Sequence, residues 1–270
     1  MDPQHRSTTV DDGTVISYAV LDGGAPDVVL LHGLAGSGRE MLPTARALAG
    51  RRVLVVDQRG HGGSTRRPDD LSREAFIEDV VQVVLGECTG PVDLVGQSMG
   101  AHTAMLVAAA RPDLVRRLVL LECHEGGSAD GEGEDSDALE AFFASWPVPF
   151  ADRAAARQAL GDGPLAAAWV ADLEERPDGL HPRFGAAVVG AVARTMSTPR
   201  RAEWASVEAP TLVVYADGGM FTEERKRSFV AAGRRVRRAD LAGASHDAHL
   251  DAFDQWARVL STFLAEEVSP

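Results

Sequence analysis

The amino-acid sequence predicts an α/β protein in which helices cover both faces of a mostly parallel central sheet. Short apolar, β-branched segments at residues 28–31, 53–56 and 92–95 alternate with longer segments of helical spacing. Strands that are joined through helices pair in parallel with right-handed crossovers. A chain of 270 residues is long enough for one large domain of this kind with an insertion.

The predicted elements follow one another in a simple order from the N-terminus. Residues 8–20 alternate β-forming side chains around a turn at 11–13, which predicts a hairpin. The predicted strand and helix pairs are then 28–31 with 39–49, 53–56 with 74–85, 92–95 with 101–110, 211–215 with 223–232 and 236–241 with 253–264, with one further strand at 117–121. We expect the chemistry at the carboxyl ends of these strands, because those ends meet at one edge of the sheet.

The regular alternation stops between residues 123 and 208. An acidic, glycine-rich stretch at 126–137 predicts a mobile solvated loop, and the helical segments after it carry many aromatic side chains. These aromatic residues predict an apolar helical cap, so the expected domains are a core of residues 1–122 and 209–270 and a cap of residues 123–208. The residues expected to contact the substrate are His124, Trp146, Phe150 and Trp169.

Composition and charge limit the classes of partner. The formal net charge of −13 opposes binding to nucleic acids and to anionic membranes, and no basic stripe interrupts it. Cys88 and Cys123 lie far apart and lack metal-ligand spacing, so we expect reduced thiols in a cytoplasmic protein without a metal. No stretch approaches the ~20 apolar residues of a membrane span, and no signal peptide is expected.

The segment 96–100 carries the strongest chemical signal, because it places Ser98 between a buried strand and a packed helix. A serine at so sharp a corner needs a strained backbone, and side chains at Gly96 and Gly100 would collide there. The first N–H groups of the helix, above all that of Met99, are free to stabilise a negative oxygen. This setting predicts a nucleophile that accepts an acyl group.

Four landmarks in this order resemble the α/β-hydrolase fold family, over residues 10 to 264. They are His32 with Gly33 after a strand, the segment 57–62, the segment 96–100 and the late His246. The resemblance implies an α/β-hydrolase fold with an inserted helical cap, a nucleophile at Ser98 and a general base at His246. It also implies an oxyanion hole formed by the N–H groups of Leu34 and Met99, and structural hydrogen bonding by His32 and His61.

Physical chemistry supports His246 as the base independently of the resemblance. A serine hydroxyl is a poor nucleophile at neutral pH, whereas an imidazole with an unperturbed pKa of ~6.5 can accept its proton and later return it. His246 follows the strand 236–241 and therefore falls at the carboxyl edge of the sheet. Among the eight histidines the nearer rivals are His102, within the helix after Ser98, and His124, at the start of the cap.

The third member of the expected triad is where this chain departs from the family pattern. Family members usually carry the acid about three residues beyond the strand that corresponds to 211–215, and Gly219 stands there. We predict that Asp217 takes this role, because two glycines after it could let the loop fold back. Glu122 is the alternative acid, unless it holds the loop of Arg59 instead, and Asp57 is expected to order its own turn.

The sequence therefore favours a serine hydrolase that cleaves an ester or lactone of a small to medium, largely apolar substrate through an acyl-enzyme at Ser98. One alternative is a ligand-binding protein that retains the fold with little or no chemistry, because the acid is missing at Gly219. Another is a lyase, cyclase or acyltransferase that uses the same Ser–His pair. The expected partner is a small molecule, no cofactor is expected, and a monomer and a homodimer are both compatible with the sequence.

Overall fold

A computed structural model of the chain describes residues 2–127 and 136–266. Within them the strands are β1 (Gln4–Thr9), β2 (Val15–Leu21), β3 (Gly24–Leu31), β4 (Arg51–Val56), β5 (Val92–Gln97), β6 (Val115–Leu121), β7 (Glu174–Arg176), β8 (Gly179–His181), β9 (Thr211–Gly218) and β10 (Val236–Ser245). The helices are α1 (Gly38–Ala47), α2 (Arg73–Glu87), α3 (Met99–Ala110), α4 (Ser136–Ala144), α5 (Arg153–Leu160), α6 (Pro164–Asp172), α7 (Ala186–Met196), α8 (Arg201–Ser206), α9 (Glu223–Ala232), α10 (Ala248–Asp251) and α11 (Phe253–Ala265).

The described part of the chain contains an eight-stranded sheet with the order β1-β2-β4-β3-β5-β6-β9-β10. The first two strands pair antiparallel with each other, and β2 also pairs antiparallel with β4. All further pairs in this sheet are parallel. The predicted α/β fold with a mostly parallel sheet is therefore confirmed.

Alternate residues of each central strand pack against helices on opposite faces of the sheet. In β3, Val29 and Leu31 pack in a cluster with residues of α2 and α3, whereas Val28 and Leu30 pack in a cluster with residues of α1 and α11. All four side chains are fully buried. Burial on both faces explains why these strands are continuously apolar in the sequence.

The cap segment contains α4 to α7 and a short hairpin of β7 and β8, which the sequence did not predict. Helix α7 packs on the turn that carries Ser98, since Val188 and Val192 share a buried cluster with Met99. Trp204 of α8 belongs to the core instead, because its ring stacks on Phe229 with centroids 4.3 Å apart. The division into a core domain and a cap domain stays a prediction.

Two further expectations concern parts of the chain outside the sheet. The acidic stretch 126–137, expected to be a mobile loop, lies largely outside the described residues. In residues 2–127 and 136–266, no helix is long and apolar enough to span a bilayer. The same residues contain no group of three or more His, Cys, Asp and Glu side chains that could hold a metal ion.

Candidate active site

Ser98 lies on the sharp turn between β5 and α3, with φ of 51° and ψ of −115°. A Cβ added to Gly96 would lie 2.3 Å from the carbonyl carbon of Gly100, and one added to Gly100 would lie 2.3 Å from the carbonyl oxygen of Leu31. Backbone atoms therefore exclude side chains at both glycines, as predicted from the sequence. The turn leaves Ser98 partly exposed at the carboxyl edge of the sheet.

Two backbone N–H groups near Ser98 are free to bind a negative oxygen. The N–H groups of Met99 and Leu34 donate no hydrogen bond to any group in residues 2–127 and 136–266. Met99 begins α3, where N–H groups lack intrahelical acceptors and carry partial positive charge. Leu34 follows Gly33, at which an added Cβ would lie 3.6 Å from the Cβ of Ser98. Leu34 and Met99 therefore remain the candidates for an oxyanion hole.

Two buried histidines hold the loop that carries Leu34. The Nε2 atom of His32 accepts a hydrogen bond from the N–H of Gln58 at 3.0 Å, and its Nδ1 lies 2.7 Å from the carbonyl oxygen of Gly33. The Nε2 atom of His61 accepts from the N–H of Ala35 at 3.2 Å. Burial lowers the pKa of His61 to about 3, so its ring is neutral at pH 7. Both histidines make the structural hydrogen bonds that the resemblance implied.

His246, which follows β10, contacts the carboxylate of Glu122. The Nδ1 atom of His246 lies 3.2 Å from Oε2 of Glu122. Glu122 is 1% exposed, and its two oxygens accept hydrogen bonds from the N–H groups of Ala216 at 2.8 Å and Met220 at 3.0 Å. On the other side, the side-chain amide of Gln97 donates to the carbonyl oxygen of His246 at 3.1 Å. The imidazole is thus anchored beside the end of β5.

The prediction that Asp217 is the carboxylate beside His246 is wrong. The Asp217 side chain is exposed and accepts hydrogen bonds from the N–H groups of Gly243 at 2.9 Å and Ala244 at 3.1 Å. These bonds, with that of Gly243 first, lower the pKa of Asp217. Asp217 therefore orders the loop that precedes His246, and Glu122, the alternative acid, takes the place beside the imidazole.

Gly219 makes room for the Glu122 carboxylate. A Cβ added to Gly219, the position where the family pattern expects an aspartate, would lie 2.3 to 2.5 Å from the carboxylate atoms of Glu122. Glu122 does not hold the loop of Arg59, which was the other role expected for it. Arg59 donates two hydrogen bonds to the buried carboxylate of Asp79, at 2.7 and 2.6 Å. Glu122 is therefore free to face His246.

Backbone strain in the described part of the chain concentrates at this edge of the sheet. The non-glycine residues with positive φ are Ala35 at 58°, Ser98 at 51° and Glu122 at 50°. One lies on the loop after β3, one on the turn after β5 and one at the end of β6. Such conformations cost on the order of 1–3 kcal/mol each and cluster at functional sites.

Ser98, Glu122 and His246 line one cavity of about 380 Å³ beneath α7. His124 also lines it, as expected for a substrate contact. The Oγ atom of Ser98 makes no hydrogen bond to any group in the described residues. Catalytic hydrogen bonds are often long or absent in ligand-free enzymes and form in the complex with substrate.

Trp146, Phe150 and Trp169, which were predicted to contact the substrate, do not line this cavity. They form an aromatic cluster inside the cap, where the ring centroids of Trp146 and Trp169 lie 5.0 Å apart. The indole N–H of Trp169 donates to the carbonyl oxygen of Ala35 at 3.0 Å. The cluster therefore packs the cap and fastens it to the loop that carries Leu34.

Several residues of the cavity wall were not predicted from the sequence, and Arg225 is the most polar of them. Arg225 lies in the first turn of α9, after β9, and Phe221 and Met220 precede it along the same wall. The signal was available, because a helix that follows a parallel strand begins at the carboxyl edge of the sheet. The first turn of α9 is therefore a place to look for ligand contacts.

The fold and these side chains define an enzyme of the α/β-hydrolase type, and a comparison with known families agrees. The model of the alpha/beta hydrolase family matches residues 28–259, so the chain belongs to that family.

Among curated proteins, the sn-1-specific diacylglycerol lipase ABHD11 of Mus musculus is 45% identical to this chain over 121 residues. That match covers 43% of this chain, and the chain spans only 39% of the length of the mouse protein. The 2-(acetamidomethylene)succinate hydrolase of Mesorhizobium japonicum is 27% identical over 223 residues, which cover 77% of this chain and 76% of that protein. The names of these relatives support a hydrolase.

Among solved structures, E-2-(acetamidomethylene)succinate hydrolase matches with a TM-score of 0.86 at 21% sequence identity, covering 97% of this chain and 100% of that chain. The enol-lactonase from Burkholderia xenovorans matches with a TM-score of 0.76 at 23% identity, with coverages of 97% and 100%. At these identities the likeness shows the fold alone.

Proposed function

We propose that this chain is a serine hydrolase that cleaves an ester or lactone bond of a small substrate through an acyl-enzyme at Ser98. One observation carries the proposal: a strained serine and a histidine in contact with a buried glutamate line the same cavity. This set of residues has the chemistry of a nucleophile, a base and an acid that orients the base.

The proposed reaction begins when Oγ of Ser98 attacks the carbonyl carbon of the substrate while Nε2 of His246 accepts the hydroxyl proton. The N–H groups of Met99 and Leu34 stabilise the oxyanion of the tetrahedral intermediate. Collapse of that intermediate breaks the bond to the leaving alkoxide, which takes the proton from His246. A water molecule, deprotonated by His246, then attacks the acyl-enzyme, the bond to Oγ of Ser98 breaks, and His246 returns the proton to Oγ as the carboxylic acid is released.

Glu122 orients the base in this scheme. Its contact with Nδ1 of His246 fixes the tautomer whose Nε2 lone pair is available for the Ser98 proton. The backbone N–H groups of Ala216 and Met220 hold the carboxylate in place, so the contact does not depend on a mobile side chain. A carboxylate in this position also stabilises the imidazolium that forms during the reaction.

The names of the relatives are compatible with this proposal. They include a diacylglycerol lipase and a 2-(acetamidomethylene)succinate hydrolase. The alternative of a binding protein without chemistry rested on the missing acid at Gly219. The presence of Glu122 beside His246 removes that argument. A lyase, cyclase or acyltransferase would use the same pair and is distinguished by its products.

The test is the hydrolysis of p-nitrophenyl butyrate by the wild type and two alanine variants. Ser98→Ala is expected to lower kcat/KM by ~10³-fold or more, because no other group supplies the nucleophile. Ser197→Ala is the matched control, since Ser197 lines the same cavity at the end of α7. Its turnover is expected to stay within roughly threefold of the wild type. Equal turnover by the wild type and Ser98→Ala would overturn the proposal.

A further inference from the structure

We infer that the cavity binds a substrate with a free carboxylate group, which Arg225 and His124 hold at the wall formed by α9 and the segment after β6. This inference rests on the proposed function and specifies its substrate class. It also modifies the sequence-based expectation of a largely apolar substrate.

Arg225 is positioned on the cavity wall with part of its guanidinium group uncommitted. The Nη2 atom donates to the carbonyl oxygen of Gly127 at 2.9 Å and to Nδ1 of His124 at 3.2 Å. The hydroxyl of Thr222 caps α9 and accepts from the Arg225 backbone N–H, which places this side chain in the first turn. No carboxylate of residues 2–127 and 136–266 forms an ion pair with Arg225. Its remaining N–H groups are therefore available to a ligand.

His124 supplies a second donor beside Arg225. Its Nδ1 atom accepts from the N–H of Gly126 at 3.0 Å as well as from Arg225, so the ring proton lies on Nε2. Burial, and next the charge of Arg225, lower the pKa of His124 to about 4. At neutral pH the ring is therefore an uncharged donor, and its Nε2–H meets no acceptor among the described residues.

A third polar side chain in the same wall is poorly satisfied by the described residues. His102 is 4% exposed and lines the cavity, and neither of its ring nitrogens makes a hydrogen bond of good geometry in the part of the chain that the structure describes; the backbone of Glu125 is a contact of poorer geometry. Behind it, the buried guanidinium of Arg73 donates to Thr103 and leaves its Nε and Nη1 atoms without acceptors in the same residues. An unsatisfied buried polar group is unfavourable, so a polar ligand that reaches His102 is favoured on this side.

The charges of the wall favour a single carboxylate. Among the described lining residues Glu122 is the acidic one, and its oxygens are engaged by His246 and by backbone N–H groups. Arg225 is the one permanently charged cation among them, and its planar fork matches a carboxylate. The net charge of −13 repels an anion only weakly at the cavity wall. At physiological ionic strength, salt screens charges that lie more than ~8 Å from the anion, so mainly the charges near the wall act on it. A cavity of about 380 Å³ suits a small molecule.

The test compares two aryl esters that differ in one group, mono-p-nitrophenyl glutarate and its ω-carboxamide. A hydrogen bond to a charged group contributes ~1.5–3 kcal/mol, so the wild type is expected to favour the carboxylate ester by ~10- to 100-fold in kcat/KM. Arg225→Gln is expected to remove this preference. Arg227→Gln is the matched control, because Arg227 lies on the same helix with a side chain that is 71% exposed. It should retain the preference.

Binding to Ser98→Ala separates this inference from the proposed function, because it requires no turnover. By calorimetry, glutaramate, which carries one carboxylate, should bind about tenfold or more tightly than the diamide glutaramide, and Arg225→Gln in the same background should abolish the difference. Such a difference supports the inference even if no ester is hydrolysed. Equal affinities, or a preference that survives Arg225→Gln, would overturn it. Tighter binding of inorganic phosphate than of glutaramate would contradict the assignment to a carboxylate.

Discussion

The carboxyl ends of β6 and β9 are neighbours in the sheet, yet their acidic residues have different surroundings. Glu122, after β6, is buried, and its carboxylate contacts His246 and accepts two backbone hydrogen bonds. Asp217, in β9, is exposed and binds the backbone of the loop before His246. One carboxylate faces the imidazole ring, and the other shapes the loop that carries it.

This difference indicates that the reach of the side chain and the space around it decide which carboxylate contacts His246. The N–H of Glu122 donates to the carbonyl oxygen of Val214 at 2.9 Å, and its φ of 50° turns the side chain toward the end of β9. Gly219 leaves the volume that the carboxylate fills. The carboxylate of Glu122, which follows the neighbouring strand, therefore fills the space at Gly219, where the family pattern expects an aspartate.

The largest expected effect comes from changing each carboxylate to its amide. Glu122→Gln should lower kcat by ~10³- to 10⁴-fold, because the amide cannot fix the tautomer or stabilise the imidazolium. Asp217→Asn is the matched control and should keep kcat within roughly threefold, because its carboxylate only orders a loop. Steady-state turnover of p-nitrophenyl butyrate, with circular dichroism to confirm folding, measures both. A larger loss of kcat in Asp217→Asn than in Glu122→Gln would contradict these roles.

Moving the acid between the two strands tests the role of space. Gly219→Asp alone should reduce kcat by ~10-fold or more, because the new side chain overlaps the Glu122 carboxylate. Glu122→Gly clears that volume and suits the positive φ at this position, but it removes the acid. Combining it with Gly219→Asp should restore kcat by ~10- to 100-fold over Glu122→Gly alone. If the folded double variant shows no recovery of kcat, an aspartate at position 219 cannot replace Glu122 beside His246.

His124, which follows β6, can be tested through the pH dependence of the free energy of unfolding. The pKa of His124 is about 4 in the folded protein, against 6.5 for the free side chain. As pH falls below 6.5 the unfolded chain binds a proton that the folded protein does not, so stability decreases toward pH 4. Between pH 6.5 and 5, the free energy of unfolding of His124→Gln should decrease by on the order of 1 kcal/mol less than that of the wild type.

Urea denaturation at several pH values measures this effect, and His5→Gln is the control because His5 is exposed on β1. Its pH dependence should match that of the wild type. If the wild type and His124→Gln lose the same free energy of unfolding over this interval, the ring of His124 is not held neutral in the folded state.

The elements of the sheet were predictable from the sequence because their periodicity is strong. The helix predicted over 223–232 is α9, and the strand predicted at 236–241 lies within β10. The cap hairpin escaped prediction because β7 and β8 have only three residues each, too few for a period to show. Strands this short are defined by their partner rather than by their own sequence.

The candidate site was predictable where a local motif defines it and not where distant residues meet. Ser98 follows from its flanking glycines, and His246 follows from its place after a strand. The contact of Glu122 depends on the backbone angle at its own position and on the absence of a side chain at Gly219. Likewise, the aromatic rings of Trp146 and Trp169 pack on each other, and spacing along the chain cannot distinguish that from contact with a substrate.

The most direct test of Ser98 as the nucleophile is covalent labelling with a fluorophosphonate, followed by intact mass measurement and peptide mapping. We expect one adduct per chain, located on Ser98 and absent from Ser98→Ala. Glu122→Gln should label far more slowly than Asp217→Asn. An adduct on another side chain, or no adduct on the folded wild-type protein, would contradict the assignment of Ser98 as the nucleophile.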